Sequence, residues 1–426
     1  MRTGNNLRII LYDPSGYGGH SHYTYQLAES LARVGSDVTV ITSEDYELKH
    51  LKRNFKIYTP FTKSWVKSFL SRVLSQLQRK NKISTNISYN LNINSSLKNE
   101  KQIEISILKV IRLYLIWLKI SLFCLLRNPH VIHFQRPLGR EHDFYFMKFL
   151  KLLRFNTVYT AHDLLPHDSN SFYDQNLYKK IYQIPDKIIV HSENDKREIV
   201  GAFQVNLDKV SVIPHGSYDL FYRDKNITKD VAKQKLGIPD GKKIILFFGL
   251  IRKYKGLEYL VYAFQRVKEE LDDTVLFIVG NIHDENSEDF KFYSDLIDLI
   301  SHDDNIIRVN EYVPFEKINS YFLASDVVVL PYIKTYTSGV LLAAYAAGRP
   351  VIVTDTGALS EVVDVGKSGF IVPPKDINAL ACAIIKTLSD QDQMEKMGNY
   401  AKYLSETVYS WNSIALKTIN VYQSLN

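Results

Sequence analysis

Cysteine is nearly absent from this sequence of 426 residues, which contains only Cys124 and Cys382. Both fall in apolar helical patterns, far apart in the chain. A fold that is held together by disulfides is therefore excluded, and we expect two buried thiols in a reducing compartment.

Long uncharged apolar runs are also absent. The most hydrophobic segment, ISILKVIRLYLIWLKISLFCLLR, is interrupted by Lys109, Arg112 and Lys119. A membrane-spanning helix needs about 20 mostly uncharged residues, so this segment predicts a helix that packs on a sheet. The first residues carry only a short apolar patch, LRIIL, which is typical neither of a signal peptide nor of an anchor.

The composition is that of a globular protein, with 45% hydrophobic and 23% charged residues. The length predicts two domains of roughly 200 residues each. Charge is distributed unevenly: residues 1–200 carry 29 Lys and Arg against 17 Asp and Glu, and residues 49–154 carry 21 against 4. This excess indicates that the first half meets something anionic, for which nucleic acid, an anionic membrane surface and a lipid-phosphate acceptor all qualify.

Strands and helices alternate along most of the chain. The apolar strands of the first half are LRIILYD, DVTVIT, HVIHFQ, NTVYTAHD and KIIVHSE, and VSVIPHG is expected to begin the second half. From residue 243 onward, KIILFFG, TVLFIVG, IIRVNEYV, VVVLPY and PVIVTD alternate with helical patterns. This order predicts an α/β fold made of two tandem, doubly wound, Rossmann-like parallel-sheet domains. The predicted domains are 1–205, 206–400 and a C-terminal helix at 401–426 that packs back toward the first domain.

The pattern weakens between about 60 and 105, where we expect a helical and loop insertion. The stretch KSWVKSFLSRVLSQLQRKNK spaces Trp65, Phe69, Val73 and Leu77 three to four residues apart, with Lys and Arg between them. This spacing predicts a basic amphipathic helix. A polar loop, NKISTNISYNLNINSSLKNEK, follows it.

Two motifs of the second half favour anion binding. In TSGVLL, Thr337 and Ser338 can cap a helix and bind a phosphate, while Gly339 lets an anion approach the backbone. In FFGLIRKYKGLEYL, Arg252 and Lys255 stand in a glycine-flanked turn directly after a strand, and we expect this turn to be exposed at the mouth of the sheet. Because ligands of parallel sheets bind at the carboxyl ends of the strands, these cations and this helix start are expected to meet one diphosphate.

The first half carries the glycine-rich turn GYGGHSHY after its first strand. It lacks the GxGxxG spacing, and no acidic residue ends the second strand, so a dinucleotide-binding dehydrogenase is disfavoured. These glycines can open room for a sugar or an acceptor. Histidines also cluster at predicted strand ends, which indicates a polar site rather than zinc, because no Cys or Glu stands at ligand spacing. They are His20, His22, His133, His162, His191 and His215.

The order of these signals resembles the glycosyltransferases of the GT-B fold, specifically the retaining family 4. The matching segments are GGHSHYTYQLAESLARVGSDVTVIT, VYTAHD, VIPHG, FFGLIRKYKGLEYLVYAF and the long block from ASDVVVLPY to SGFIVPP. The resemblance implies two domains that face each other across a cleft. It implies a donor site at Gly249, Gly256, Thr337, Ser338, Gly339, Val340, His215 and Glu361, with His162, Arg252 and Lys255 as catalytic residues. The acceptor is expected near Gly18, Gly19, His20, His22 and His133.

The sequence departs from the family pattern at several of these positions. Two glutamates eight positions apart are replaced by Thr335 and Ala343, as in a branch whose motif reads SGVL. In the family these glutamates contact donor sugar and ribose hydroxyls, and Glu361 is a candidate replacement. Leu250 stands where the family has an arginine, with Arg252 nearby, and His215 replaces an asparagine.

The resemblance implies transfer of a sugar from a nucleotide-sugar to a glycan or lipid-linked acceptor, with retention of configuration. No cofactor and no metal are expected, because Arg252, Lys255 and the amides of the helix start can offset the diphosphate charge. His162 could hydrogen-bond a sugar hydroxyl or the departing charge. We expect a cytoplasmic protein on the inner face of an anionic membrane.

Three alternatives stay open at this point. The first is a non-catalytic nucleotide-sugar-binding protein, and the second is another GT-B enzyme such as a nucleotide-sugar epimerase; a phosphorylase would need a much longer chain. The third, nucleic-acid binding through residues 49–154, is disfavoured because that stretch lacks a recognised module.

Overall fold

The structure is a computed structural model that describes residues 7–61, 113–135, 140–165, 172–222, 227–282, 288–300 and 302–425. The predicted amphipathic helix at Trp65 to Leu77 lies outside the described residues, as does nearly all of the predicted insertion. The chain divides into two compact units. Unit 1 comprises residues 1–159 and 184–186, and unit 2 comprises residues 160–183 and 187–426.

A seven-stranded sheet has the order β3-β2-β1-β4-β5-β6-β7. Its pairs β1–β2, β1–β4, β2–β3, β4–β5 and β6–β7 are parallel. The strands are β1 (Arg8–Tyr12), β2 (Asp37–Ser43), β3 (Lys56–Phe61), β4 (Val131–Phe134), β5 (Thr157–Thr160), β6 (Lys187–Val190) and β7 (Val210–Val212). The helices between them are Gly18–Arg33, Arg140–Leu152, Phe172–Tyr182 and Glu193–Gly201, and residues 113–127 are also helical.

A six-stranded parallel sheet in unit 2 has the order β10-β9-β8-β11-β12-β13. Its strands are β8 (Lys243–Phe248), β9 (Thr274–Val279), β10 (Ile306–Val309), β11 (Val327–Leu330), β12 (Val351–Thr354) and β13 (Gly369–Val372). The helices of this part are Lys229–Lys235, Leu257–Glu270, Glu288–Ile300, Phe315–Ala324, Gly339–Ala346, Leu359–Val362, Ile377–Ser389, Gln391–Glu406 and Trp411–Gln423.

Both faces of the six-stranded sheet are covered by apolar clusters, which is why its strands are continuously hydrophobic. Alternate residues of β8 point to opposite faces: Ile244 and Leu246 belong to one cluster, Ile245 and Phe247 to the other. The uncharged Gly339–Ala346 helix packs in the cluster that contains Ile244 and Leu246, where its small residues permit close approach to the sheet.

The predicted fold class, two doubly wound parallel-sheet domains, is confirmed. Gly35 has a φ of 98° just after the Gly18–Arg33 helix, as expected of a C-terminal glycine. The predicted cleft and the domain limits 1–205, 206–400 and 401–426 stay predictions. Among the described residues, no helix is long and apolar enough to cross a bilayer.

Two expectations about local structure are wrong. VSVIPHG does not begin the second half: it lies inside unit 2, and its strand β7 pairs with β6 at the edge of the seven-stranded sheet. Cys124 is buried as predicted, and burial raises the pKa of its thiol to about 12, but Cys382 is exposed. Cys382 lies on the outer face of the Ile377–Ser389 helix, beside apolar neighbours whose side chains point inward.

Candidate functional site

The order of the six-stranded sheet reverses at β8 and β11. β8 pairs with both β9 and β11, and the chain leaves β8 toward one side of the sheet and β11 toward the other. Such a switch point opens a crevice outside the carboxyl ends of the two strands. The loop after β8 begins at Gly249, and the loop after β11 leads into the Gly339–Ala346 helix.

Lys255 lies in this crevice with its side chain buried, at 8% exposure. Its Nζ is 5.6 Å from the centre of the Tyr332 ring. A Cβ placed on Gly249 would come within 2.8 Å of the same Nζ and within 3.8 Å of Val340 Cγ2, so the glycine makes room for the ammonium group. The two loops therefore meet around one lysine, and the expectation of an exposed Lys255 is wrong.

The charge of Lys255 is poorly compensated. Burial lowers the pKa of this lysine to about 8, and the positive charge of half-buried Arg252 adds to the shift. Within the part of the chain that the structure describes, no carboxylate lies within ion-pairing distance of Lys255. A buried cation without an acidic partner is costly in the empty protein, so the crevice is suited to an anion.

The start of the Gly339–Ala346 helix adds to this electrostatic environment. Its first turn has no acidic residue, and Ser338 occupies the N-cap position without making a capping hydrogen bond. Burial raises the pKa of Tyr332, and a hydrogen bond with the Ser338 hydroxyl partly opposes this. A Cβ on Gly339 would lie 2.7 Å from the Tyr218 hydroxyl, so this position needs glycine.

Three of the predicted histidines lie together in unit 2, where His162, His191 and His215 are all buried. Nδ1 of His162 is 2.9 Å from Nε2 of His191, and Nδ1 of His191 is 2.9 Å from the Ile213 carbonyl oxygen. The His215 ring centre is 5.3 Å from that of His191, and the ring stacks on Tyr218. The strand-end pattern put these three histidines in one site with His20, His22 and His133, whereas the structure groups only His162, His191 and His215 in unit 2. No sequence signal indicated the direct bond between His162 and His191.

The loop that carries His215 is fixed by the helix Trp411–Gln423. Trp411 donates its indole N–H to the Ser217 carbonyl oxygen at 2.5 Å. A Cβ on Gly216 would lie 2.4 Å from the Trp411 ring, so only glycine allows this contact. The C-terminal helix thus holds the His215 loop within unit 2.

Glu361 is engaged in backbone contacts. Its carboxylate accepts hydrogen bonds from the N–H groups of Glu193 at 2.8 Å and Asn194 at 2.7 Å. It thereby stabilises the start of the Glu193–Gly201 helix, where a negative charge is favourable. The positions of the missing glutamates, Thr335 and Ala343, are both buried.

The glycine-rich turn of unit 1 has a different environment. Glu47 accepts a hydrogen bond from the Gly18 N–H at 3.0 Å and lies 3.3 Å from Nε2 of His22. Gly19 is exposed and His20 half-buried. His133 is fully buried within β4. A carboxylate of the chain itself therefore occupies the start of this helix.

Comparisons with protein families match both halves of the chain. Residues 228–403 match the family Glycosyl transferases group 1, and residues 100–217 match Glycosyltransferase Family 4. An uncharacterized glycosyltransferase of Methanocaldococcus jannaschii is 31% identical over 241 residues, which are 56% of this chain and 60% of that protein. The chain spans about three fifths of the length of the curated relatives that it matches.

Solved structures match over nearly the whole chain. Sucrose-phosphate synthase from Thermosynechococcus elongatus has a TM-score of 0.71 at 21% identity, covering 98% of this chain and 99% of that one. HepE from Anabaena in complex with UDP has a TM-score of 0.70 at 15% identity, covering 98% and 100%. These identities show the fold alone. The chain therefore contains one segment similar to Glycosyltransferase Family 4 and another similar to Glycosyl transferases group 1, in the GT-B fold that its motifs predicted.

Proposed function

We propose that this protein transfers a sugar from a nucleotide-sugar donor to a glycan or lipid-linked acceptor in the synthesis of a cell-surface polysaccharide or glycolipid. The observation that carries this proposal is the buried Lys255 at the switch point of a six-stranded parallel sheet. HepE, which is similar in fold, has been solved with UDP and with UDP-glucose. A nucleoside diphosphate would bring negative charge next to the buried Lys255.

Negative charge grows on the diphosphate as its bond to the sugar breaks. Lys255, Arg252 and the N–H groups at Ser338 and Gly339 would stabilise that charge in the transition state. Since these groups supply positive charge themselves, we propose that transfer needs no metal. Turnover should persist in excess EDTA, and complete loss that manganese restores would contradict this point.

Retention of configuration and the SGVL branch are also parts of the proposal, and both rest on the resemblance of the motifs. The donor is expected to contact Gly249, Gly256 and the segment 337–340, with His215 and Glu361 nearby. We expect His162 near the donor sugar, as the resemblance of the motifs implies. The stereochemistry can be measured by NMR of the fresh product, and an inverted anomer would contradict it.

For the acceptor we propose unit 1, near Gly18, Gly19, His20, His22 and His133, and attachment to the inner face of an anionic membrane. Two helices of unit 1, 113–127 and Arg140–Leu152, expose an apolar face, and Trp117 stacks on Phe146 between them at 5.2 Å. The exposed side chains are Tyr114, Leu118, Leu122, Leu125, Leu126, Tyr145, Phe149 and Leu152. Contiguous apolar patches mark interaction sites.

Charge complementarity favours a membrane as the occupant of this apolar face. Residues 49–154 carry 21 basic against 4 acidic residues, and each basic residue near an anionic bilayer contributes about 1 kcal/mol. Binding to anionic liposomes at low salt should be lost at high salt and weakened by the double variant Leu118→Ser, Leu122→Ser. Leu416→Ser, which is exposed in unit 2, is the matched control. Equal, negligible binding to anionic and neutral liposomes would contradict the proposal.

The function itself is tested in two steps. A melting screen against nucleotide-sugars and nucleoside diphosphates should find a ligand that raises the melting temperature. Consumption of that donor is then measured with and without membrane extracts as the source of acceptor. Donor use that depends on the extract supports a transferase, and no ligand in the first step would contradict the proposal.

A non-catalytic nucleotide-sugar-binding protein is the second candidate. It is favoured by Thr335 and Ala343, which leave neither family glutamate in place and are both buried. Such a protein would bind the donor without consuming it in either assay. A nucleotide-sugar epimerase would convert the donor without any extract, and both outcomes are distinct from transfer.

A further inference from the structure

A hydrogen bond to the backbone fixes the tautomer of the His191 ring. Its Nδ1 lies 2.9 Å from the carbonyl oxygen of Ile213. A carbonyl oxygen can only accept, so Nδ1 of His191 carries the proton and donates it. In the neutral ring, Nε2 of His191 then has a lone pair.

That lone pair faces His162. Nε2 of His191 and Nδ1 of His162 are 2.9 Å apart, which is hydrogen-bonding distance. Because the nitrogen of His191 accepts, Nδ1 of His162 must donate. In neutral His162 the lone pair is therefore on Nε2, the ring nitrogen on the opposite side from His191.

We infer that His191 is a positioning residue that holds His162 in the tautomer with the proton on Nδ1, so that His162 Nε2 accepts a hydrogen bond from a hydroxyl group of the donor sugar. This inference rests on the proposed function, and it decides between the two roles considered for His162. A neutral Nε2 with a lone pair cannot donate to a departing phosphate oxygen, whereas a hydroxyl group is a suitable donor to it.

The neighbouring ring has the same preference. Nδ1 of His215 is 2.7 Å from the Gly216 carbonyl oxygen, so it also carries a proton, which leaves Nε2 as the acceptor. The ring centres of His162, His191 and His215 lie 4.9 to 6.3 Å apart, and all three side chains are buried. The carbonyl groups of one short segment, Ile213 to Gly216, thus orient two of the three rings.

The direct test is the tautomer of His162 in the full chain, labelled with ¹⁵N in its histidine rings. Long-range proton–nitrogen NMR distinguishes the two tautomers, and the signals of His162 are assigned by their loss in His162→Gln. We expect the Nδ1–H tautomer in the wild type. A wild-type ring with its proton on Nε2 would overturn the inference without any measurement of activity.

Two substitutions of His191 test its effect on turnover. His191→Leu removes the acceptor, and we expect a mixture of His162 tautomers. We also expect kcat/KM to fall about tenfold to a hundredfold, the range seen when hydrogen-bond partners of metal-binding histidines are removed. His191→Gln offers a carbonyl oxygen to the same N–H and should restore the tautomer and most of the rate. A His191→Leu variant with wild-type kcat and KM would overturn the inference.

The outcomes also separate this inference from the proposed function. If the wild type shows the expected tautomer but uses no nucleotide-sugar, the proposed function fails and the role assigned to His162 Nε2 fails with it, while the orienting contact of His191 stands. If the wild type turns over a donor but carries the other tautomer, only the inference about His191 fails.

Discussion

Each sheet has a helix start near the carboxyl end of one of its strands, after β1 in the first sheet and after β11 in the second. In both places the charge nearby is opposite in sign to the net charge of the surrounding sequence. The first 200 residues are basic, yet their glycine-rich helix start is occupied by Glu47, and Asp13 is buried beside it, bonded to Ser21 at 2.9 Å. The remainder is mildly acidic, yet its crevice holds buried Lys255. The net charge of a region therefore does not predict the charge of its site.

The two helix starts also differ in whether they can bind an anion. In unit 1 a side chain of the protein already accepts from the Gly18 N–H, so an incoming anion would meet a carboxylate. In unit 2 the start of the Gly339–Ala346 helix has no acidic residue in its first turn and no side-chain cap. Of these two helix starts, the second is the one suited to a ligand anion.

The largest effect is expected from Lys255→Met, which removes the buried cation of the second crevice. The transition state should lose about 2–4 kcal/mol of stabilisation, which lowers donor turnover about thirtyfold to a thousandfold. Because the native state holds the pKa of Lys255 near 8 instead of 10.5, loss of the charge should also stabilise the empty protein by at most about 3 kcal/mol.

Kinetics and thermal unfolding measure the two effects of Lys255→Met separately. Lys253→Met is the matched control, because Lys253 belongs to the same turn but is exposed. We expect the control to keep both the rate and the melting temperature. A Lys255→Met variant with the wild-type rate would show that the diphosphate binds elsewhere.

The second prediction concerns pH. The protonated form of Lys255 binds the anion, and its pKa in the empty protein is about 8, so donor affinity should be constant below that pH and fall by up to tenfold per pH unit above it. Calorimetric titration with UDP-glucose between pH 6.5 and 9.5 measures this. Lys255→Arg stays charged over this whole pH range, so its donor affinity should no longer depend on pH. If its affinity falls with pH as in the wild type, another group causes the pH dependence.

The third prediction tests the carboxylate in unit 1. Glu47→Gln removes the charge that accepts from Gly18 and faces His22. We expect a loss of about 1–2 kcal/mol in the free energy of unfolding, because hydrogen bonds to charged groups are worth somewhat more than neutral ones. Donor affinity should not change, because the donor is expected at the helix start of unit 2. A tenfold change in donor affinity would show that the helix start of unit 1 takes part in donor binding.

The smallest effect is expected from Ser338→Ala. Ser338 makes no capping bond, so its loss removes only the hydrogen bond with Tyr332 and should cost about 0.5–1 kcal/mol in stability. Ser192→Ala removes a cap and should cost about 1–2 kcal/mol. Ser192 is the matched control because its hydroxyl accepts from the Asp195 N–H at 2.9 Å. Urea unfolding measures both, and equal losses would show that Ser338 caps its helix after all.

Much of the fold could be predicted because hydrophobic periodicity is a local property. The strands between residues 243 and 354 alternate with helices as expected, and Gly249 and Lys255 fall at a switch point because chain order and sheet order are linked. β3 was missed: KIYTPF ends where the pattern weakens, and it is a strand because it pairs with β2.

The rest depends on contacts between distant residues. The buried ammonium group of Lys255 lies over the ring of Tyr332, which is far from it in sequence. The orientation of His162 comes from His191 and Ile213, which are also distant in sequence. The sequence could propose Glu361 as a site residue because it is a carboxylate that follows the TSGVLL motif. Its bonds to the N–H groups of Glu193 and Asn194 could not be predicted, because they join segments that are far apart in sequence. Sequence patterns therefore locate the crevice, and tertiary packing decides what each side chain does in it.

The contact between Trp411 and the loop at Gly216 also sets an order of events during synthesis. Trp411 lies 194 residues after Ser217, whose carbonyl oxygen it binds. At about 5–20 residues per second, a ribosome needs roughly 10 to 40 s to cover that distance. Throughout this interval the loop that carries His215 lacks the indole that fixes it. A nascent chain can thus complete its first sheet well before its histidine cluster is assembled.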